Sequence, residues 1–168
     1  KNDFNLVHFD SNVTYDTEHM IPVMIAAQKA IASTHNKNLG LRLLASPWSP
    51  PAWMKVPVNG KQSMVGSAIP NGLIATHEVM SAWAMYISKW ITAYKSYGLN
   101  IWALTPQNEP AFAAPWEACA FNASFEKYWV EEYLGPTLDA NNQEDIKILG
   151  LDHNKNIMLE WTQELIQK

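Results

Sequence analysis

An α/β fold with a parallel sheet is the architecture that this sequence of 168 residues predicts. Three apolar runs have the length of buried strands, and segments with helical periodicity lie between and around them. Alternation of the two kinds of segment is typical of parallel strands joined by right-handed helical crossovers. Hydrophobic residues make up 48% of the chain and charged residues 17%, which predicts one domain with a sizeable core and excludes a disordered chain.

Four helices are expected. The first has Pro22 in its first turn, as helix starts often do. The second carries apolar residues at helical spacing and is followed by Gly98, which can adopt the left-handed conformation at a helix end. Ser124 is expected to cap the third. The predicted ranges are Ile21–Thr34, Thr76–Tyr97, Ser124 to about Leu134, and about Asn156–Gln167.

Three strands are expected at Leu41–Ala45, Ile101–Thr105 and Ile146–Leu151. Because a closed barrel needs about eight such units, they form either a small open sheet or part of a larger barrel, and the absence of an initial methionine favours the barrel. The segment Pro47–Leu73, rich in Pro, Ser, Gly and Asn, directly follows the first strand. A loop of this length at the carboxyl end of a strand is typical of an active site.

Charge and composition argue against several classes of protein. The formal net charge is −4 and no run of basic residues is present, so a nucleic-acid partner is not expected. No apolar run is long enough to span a membrane, and no signal segment opens the chain. Cys119 is the only cysteine and is expected to be a buried free thiol. The five histidines lack the spacing of metal ligands, so neither a metal nor a cofactor is expected.

The strongest chemical signal is Thr105-Pro106-Gln107-Asn108-Glu109-Pro110, directly after the second strand. A carboxyl group held at a strand end between prolines is rigid and partly removed from water, and desolvation favours the protonated form that a general acid needs. Asn108 could donate to a sugar 2-hydroxyl, a contact that strengthens at an oxocarbenium-like transition state. From these residues alone, an ordinary solvated loop glutamate remains an equal alternative.

Several separated motifs, in order from Leu41 to His153, resemble glycoside hydrolase family 30, and especially its glucosylceramidases. The motif around Glu109 resembles the fourth strand and the acid/base of that family, and the loop after the first strand resembles its third-strand loop. The motifs are Ala45-Ser46-Pro47-Trp48-Ser49-Pro50-Pro51-Ala52-Trp53-Met54-Lys55, Val58-Asn59-Gly60-Lys61, Trp102-Ala103-Leu104-Thr105, Gln107-Asn108-Glu109-Pro110, Pro115-Trp116-Glu117-Ala118-Cys119, Leu134-Gly135-Pro136-Thr137-Leu138 and Leu151-Asp152-His153-Asn154.

The resemblance implies part of a (β/α)8 TIM barrel and a glycosidase of the EC 3.2.1 class that hydrolyses β-glucosides, above all glucosylceramide, with retention. It implies that Glu109 is the catalytic acid/base, that Asn108 contacts the 2-hydroxyl, and that Trp48 lines the sugar subsite. Trp53 and Gln107 are further expected substrate-binding residues, and Asp152 and His153 are expected to support the site from the last strand.

The same resemblance makes residues 1–168 a partial catalytic domain with about strands three to five, lacking the first two and last three strands. The nucleophile, which the family places at the end of its seventh strand, is then outside this chain, and the chain alone is expected to be inactive. A secreted or lysosomal location is implied, or a periplasmic or extracellular one in a bacterium. Contact with a membrane surface is expected where the substrate is a glycolipid.

Three alternatives stay open. The chain could come from a family relative that acts on β-1,6-glucan or xylan, because the deciding loops follow the last three strands. It could be a non-catalytic carbohydrate-binding fragment that stacks sugars on Trp48 and Trp53, or a purely structural α/β domain. Of the other acidic residues, Glu126, Glu131 and Glu132 are expected to be solvated charges on a surface helix.

Overall fold

The computed structural model describes residues 2–33 and 40–167, and it confirms the predicted α/β fold with parallel strands. Strand β1 (Leu43–Ala45), strand β2 (Ile101–Leu104) and strand β3 (Lys147–Ile148) form one sheet in the order β1-β2-β3. Both strand pairs are parallel, as the intervening helices require. Ala103 is in register with Leu44 on one side and with Lys147 on the other.

The helix after the first long loop, α3 (His77–Ser96), is the longest in the described part of the chain, and its bounds agree with the prediction. Thr76 is its N-cap, and Gly98 follows it with a φ of 74°. Its apolar face is buried against the sheet and its neighbouring helices. The 3.6-residue spacing of apolar side chains therefore predicts both the helix and the face that it buries.

The chain before β1 forms two helices where one was expected, namely α1 (Thr14–Glu18) and α2 (Met20–Ala32). Thr34, the predicted end of the first helix, lies outside the described residues. The hydroxyl of Tyr94 on α3 donates to Asp16 Oδ2 at 2.8 Å, and this bond ties α1 to the longest helix. Burial and the Asp16 carboxylate raise the pKa of Tyr94, so its hydroxyl stays protonated as the donor.

The third predicted helix is interrupted. Helix α4 (Ala123–Trp129) passes through a π-helical turn, Val130–Leu134, into helix α5 (Gly135–Ala140). The predicted cap at Ser124 is wrong: Asn122 Oδ1 accepts the Phe125 N–H at 2.8 Å, while Ser124 Oγ donates to Glu164 Oε1. Both residues are good N-cap formers, and the chain caps the helix two residues earlier than the prediction.

The end of the chain forms helix α6 (Met158–Ile166), which packs against α4. The third strand is much shorter than predicted, because the chain leaves the ladder after Ile148 and Leu151 takes a left-handed φ of 55°. The prediction of solvated acidic residues is confirmed for Glu131 and Glu132 but wrong for Glu126, whose side chain is 1% exposed. Periodicity placed Glu126 on a helix, whereas α6 and the end of β3 bury it.

Candidate active site

The backbone just past the sheet continues the strand pairing by hydrogen bonds between three chain segments. Thr105 N–H donates to the carbonyl of Ala45 at 2.9 Å, and Asn108 N–H donates to the carbonyl of Pro47 at 3.0 Å. On the other side, Glu109 N–H donates to the carbonyl of Asp152 at 2.8 Å. Glu109 is therefore fixed between the exits of the two neighbouring strands, as sequence reasoning expected of a rigid strand-end carboxyl group.

Glu109 has a left-handed φ of 43° and a half-buried side chain. A non-glycine residue in this region costs of order 1 kcal/mol or more, and such residues cluster at functional sites. The carbonyl of Glu109 accepts the Phe112 N–H at 2.9 Å, and the carbonyl of Pro110 accepts the Phe121 N–H at 2.8 Å. Anchors on both sides of Glu109 hold this backbone conformation in place.

A cluster of polar side chains, Ser46, Thr105, Asn108 and Asp152, lies at the same edge of the sheet. Ser46 Oγ donates to Asp152 Oδ2 at 2.5 Å and lies 3.4 Å from Asn108 Oδ1. Thr105 Oγ1 is 3.1 Å from both Ser46 Oγ and Asp152 Oδ2. The cluster joins the three strand exits through side chains and places Asp152 next to the amide that precedes Glu109.

Gln107 lies between the motif of Glu109 and the loop of Trp48. Its side chain is 0% exposed, and its Nε2 donates to the carbonyls of Trp48 at 2.8 Å and Asn108 at 3.0 Å. Direct contact with a substrate is not available to a fully buried amide. Gln107 instead ties the backbone of Trp48 to that of Asn108.

Exposed aromatic rings surround this edge. Trp48 is 51% exposed, whereas Trp53 is only partly exposed and packs edge-to-face on Phe4 at a centroid distance of 5.5 Å. Trp116 is 44% exposed and lies edge-to-face with Phe112, in the loop that follows Glu109. Trp48 and Trp116 thus offer open indole surface for a sugar, and sequence reasoning gave Trp116 no binding role.

His153 follows Asp152, but its imidazole does not reach out to solvent. Its Nδ1 accepts the N–H of Asn154 at 2.7 Å, and its Nε2 is buried without a hydrogen-bond partner among the described residues. The ring therefore shapes the chain after β3 locally. Asp152, by contrast, contacts the polar cluster through its carboxylate and Glu109 through its carbonyl.

The loop after β1 is held in place by a buried lysine that sequence reasoning did not single out. Lys55 is 1% exposed, and its ammonium donates to the carbonyls of Met64 at 2.7 Å, Gly66 at 2.5 Å and Ala118 at 2.5 Å. Burial lowers the pKa of Lys55, opposed by the nearby groups of Cys119 and Glu117. Three carbonyls use all three ammonium donors, so Lys55 joins the loops after β1 and β2.

Cys119 lies in the same buried region and is a free thiol, as predicted. Burial raises the pKa of Cys119 to about 12, and the charge of Lys55 opposes that rise only in part. Because the thiolate is the reactive form of cysteine, a thiol with this pKa is chemically inert. Cys119 is therefore part of the packed interior.

A cavity of about 530 Å³ lies beside the polar cluster, between α1, α2, α3 and β1. Its wall includes Ser46 and Thr105 together with aromatic side chains such as Trp83 and Trp90. Neither Glu109 nor Trp48 is part of its wall. The candidate chemistry therefore lies on the open rim of the sheet and not inside this cavity.

A carboxyl group at the exit of a parallel strand, with an amide neighbour and exposed indoles, is the arrangement that glycosidases on β/α scaffolds use. The chain belongs to glycosyl hydrolase family 30, because the family model described as "Glycosyl hydrolase family 30 TIM-barrel domain" matches residues 1–168. The predicted family resemblance and the TIM-barrel class are thereby confirmed.

Two related sequences and one solved structure illustrate the relationship. Lysosomal acid glucosylceramidase of Mus musculus is 33% identical over 98% of this chain and 30% of its own length. Endo-1,6-beta-D-glucanase neg1 of Aspergillus fumigatus is 31% identical over 79% of this chain and 28% of its own length. The crystal structure of SrfJ from Salmonella typhimurium superposes with a TM-score of 0.74 and 30% identity, over 89% of this chain and 30% of that one. The chain thus spans about a third of the length of its relatives.

Proposed function

We propose that this chain carries the acid/base half of a retaining β-glucosidase active site, with glucosylceramide as the preferred substrate. The proposal rests on the position of Glu109 at the exit of β2. Its backbone has a left-handed conformation, which the hydrogen bonds to the carbonyls of Asp152 and Pro110 hold in place. Membership of a glycosyl hydrolase family and similarity to a lysosomal acid glucosylceramidase support it.

In the proposed mechanism, Glu109 protonates the glycosidic oxygen as the aglycone leaves, and then deprotonates the water that attacks the glycosyl-enzyme intermediate. A second carboxylate about 5 Å away is needed as the nucleophile. We propose that it comes from outside this chain, from the seventh strand of the complete barrel, and that the 168 residues alone do not turn over substrate. An arginine and an aspartate from the first two strands would help to bind the glucose.

The other predicted residues take roles that their environments allow. Asn108 would contact the sugar 2-hydroxyl, and the exposed ring of Trp48 would line the glucose subsite. Buried Gln107 would position Trp48 instead of binding substrate, and Asp152 would hold Ser46 and the backbone of Glu109. Trp53, which packs edge-to-face on Phe4, would add partly exposed aromatic surface for substrate, and His153 would shape the backbone after Asp152.

We also propose that the chain forms about strands three to five of the barrel, as a partial catalytic domain over residues 1–168. Apolar side chains exposed at both outer strands support this placement, since Leu44 on β1 is 54% exposed and Leu149 after β3 is 37% exposed. The outer strands of a piece cut from a barrel lack their neighbours, so apolar side chains at these edges are exposed. In the closed barrel, strands two and six would lie beside β1 and β3 and cover these side chains.

A location in a lysosome or outside the cell is consistent with the mouse relative, which is named as a lysosomal enzyme. Among the described residues, no helix combines the length and apolarity needed to cross a membrane. A glycolipid substrate would then be reached by contact with the membrane surface. The bacterial counterpart of this location is the periplasm or the extracellular space.

One different substrate class has specific support. The Aspergillus fumigatus relative is named as an endo-1,6-beta-D-glucanase and is 31% identical to this chain, close to the 33% of the mouse relative. A β-1,6-glucan is therefore the second candidate substrate. Hydrolysis of xylan and a non-catalytic sugar-binding role rank below it. Competing hydrolysis of glucosylceramide in detergent micelles, β-1,6-glucan and xylan by the whole protein separates these substrates directly.

The test of the mechanism is Glu109→Gln in the whole protein. With a chromogenic β-glucoside that has a good leaving group, we expect the intermediate to form but its hydrolysis to slow by about 10²–10⁴-fold. Added azide, which needs no general base, should then restore turnover and yield a β-glucosyl azide. Glu117→Gln, in the exposed loop nearby, is the control. Unchanged turnover in Glu109→Gln, or a loss that azide does not restore, would contradict the proposed role.

A further inference from the structure

The region behind the strand exits contains a carboxyl group that the proposed mechanism does not use. Glu126 is on α4, its side chain is 1% exposed, and Oε1 accepts the N–H of Leu151 at 3.1 Å. Its second oxygen, Oε2, is buried without a hydrogen-bond partner in the described part of the chain. A buried carboxyl group with one satisfied oxygen is costly for the fold, so its retention needs a reason beyond packing.

The single hydrogen bond of Glu126 is made to the backbone turn that leads from β3 to Asp152. Leu151 has a left-handed φ of 55°, and Gly150 before it lies close to α6, since a Cβ there would lie 2.8 Å from Cδ1 of Leu165. The next residue is Asp152, whose carbonyl accepts the N–H of Glu109 at 2.8 Å. A continuous path of two hydrogen bonds therefore leads from Glu126 through the turn after β3 to the backbone of Glu109.

We propose that Glu126 is a positioning residue for the acid/base, which it places by fixing the turn at Leu151 and thereby the carbonyl of Asp152. This inference rests on the proposed function of Glu109. The strained φ angles of Leu151 and Glu109 persist only where neighbouring groups hold them, and Glu126 is the side chain that holds the first. A displacement of about 1 Å at a reacting group can lower turnover by about 100-fold.

The charge state of Glu126 adds a second property to this role. Burial raises the pKa of Glu126 to about 7; the N–H of Leu151 lowers it, and the charge of Asp152 raises it further. Both protonation states can accept the Leu151 N–H through Oε1, but only the neutral form avoids a buried charge beside Asp152. The other ionisable residues of α4, α6 and the turn after β3 are Lys127, Tyr128, Asp152, His153, Glu160 and Glu164.

Two substitutions in the whole protein separate positioning from simple packing. Glu126→Gln keeps an acceptor for Leu151 at the same size and removes the charge, whereas Glu126→Leu keeps the volume and removes the acceptor. We expect Glu126→Leu to lower kcat for a chromogenic β-glucoside by about tenfold or more with little change in KM. Glu126→Gln should stay within about twofold of wild type near pH 5, and relative to wild type its activity should rise above about pH 7. Glu131→Leu, on the exposed π-helical turn, is the matched control.

A measurement without substrate keeps this inference separate from the proposed function. Hydrogen–deuterium exchange of the folded protein reads the amides of Leu151 and Glu109, and Glu126→Leu should accelerate exchange at both while Glu126→Gln and Glu131→Leu do not. If wild type fails to cleave β-glucosides but the exchange pattern holds, the proposed function is wrong and the positioning path stands. If Glu126→Leu is folded with unchanged exchange and a kcat within twofold of wild type, or if the Gln and Leu variants lose equal activity, Glu126 has no positioning role.

Discussion

Replacement of Lys55 by methionine tests whether one buried ammonium group holds the loops around the candidate active site together. Methionine keeps most of the aliphatic volume of the side chain and removes its three donors. The carbonyls of Met64, Gly66 and Ala118, now 2.5–2.7 Å from Nζ, would lose their partner. The loops after β1 and β2 would then keep their other hydrogen bonds, such as those from Gly66 N–H to the Trp116 carbonyl and from Ala120 N–H to Ser67 Oγ.

The expected loss follows from those three bonds. A hydrogen bond to a charged group contributes about 1.5–3 kcal/mol, so three independent bonds would contribute roughly 5–9 kcal/mol. Two effects reduce this sum: the desolvation that lowers the pKa of Lys55, and access of water to the carbonyls near the exposed Met64. The carbonyl of buried Ala118 has no such access, and an unsatisfied buried group costs about 1–3 kcal/mol. We expect Lys55→Met to reduce the free energy of unfolding by about 3 kcal/mol.

Urea denaturation of the whole protein measures that loss, and limited proteolysis with mass spectrometry locates it. Cleavage should increase within residues 56–72, and KM for a β-glucoside should rise because Trp48 and Trp116 belong to the two loosened loops. Lys61→Met, at an exposed position of the same loop, is the control and should change stability by less than about 0.5 kcal/mol. If Lys55→Met also stays within about 0.5 kcal/mol of wild type and the loop resists cleavage, the ammonium does not stabilise these loops.

Three further predictions concern the strand exits. Folding raises the pKa of Glu126 from its ordinary value of 4.5 to about 7, so the folded state binds more protons than the unfolded state between these values. Wild type should therefore lose roughly 3 kcal/mol of stability as the pH rises from about 4.5 to about 7. The Glu126→Gln variant should lack this dependence of stability on pH, and a dependence equal to that of wild type would refute the assignment. Asp152→Ala removes the acceptor of Ser46 and should cost about 1.5–3 kcal/mol in urea denaturation and lower kcat, whereas a variant as stable and active as wild type would show that the polar cluster is dispensable. Trp48→Ala should raise KM for β-glucosides by about tenfold with a smaller change in kcat, and an unchanged KM would remove Trp48 from the sugar subsite.

Much of the scaffold is predictable from local sequence. The spacing of apolar residues in α3, the cap at Thr76 and the left-handed Gly98 are all encoded within a few residues of where they act. The strand β2 and the motif at Glu109 are likewise continuous in sequence. Local sequence predicted the structure less well where two residues could both cap a helix, as Asn122 and Ser124 could at α4. It also predicted less well where tertiary contacts end a strand early, as in β3.

The sequence by itself therefore determined the α/β alternation, the family and the position of Glu109 at a strand exit, because each depends on patterns that lie close together along the chain. Only the tertiary structure decided that Gln107 and Glu126 are buried and that Lys55 joins two loops. The partners of Lys55 lie up to 63 residues away, and the partner of Glu126 lies 25 residues away. Periodicity records which face of an element is apolar, but it carries no information about which distant backbone group a polar side chain will meet once the elements pack.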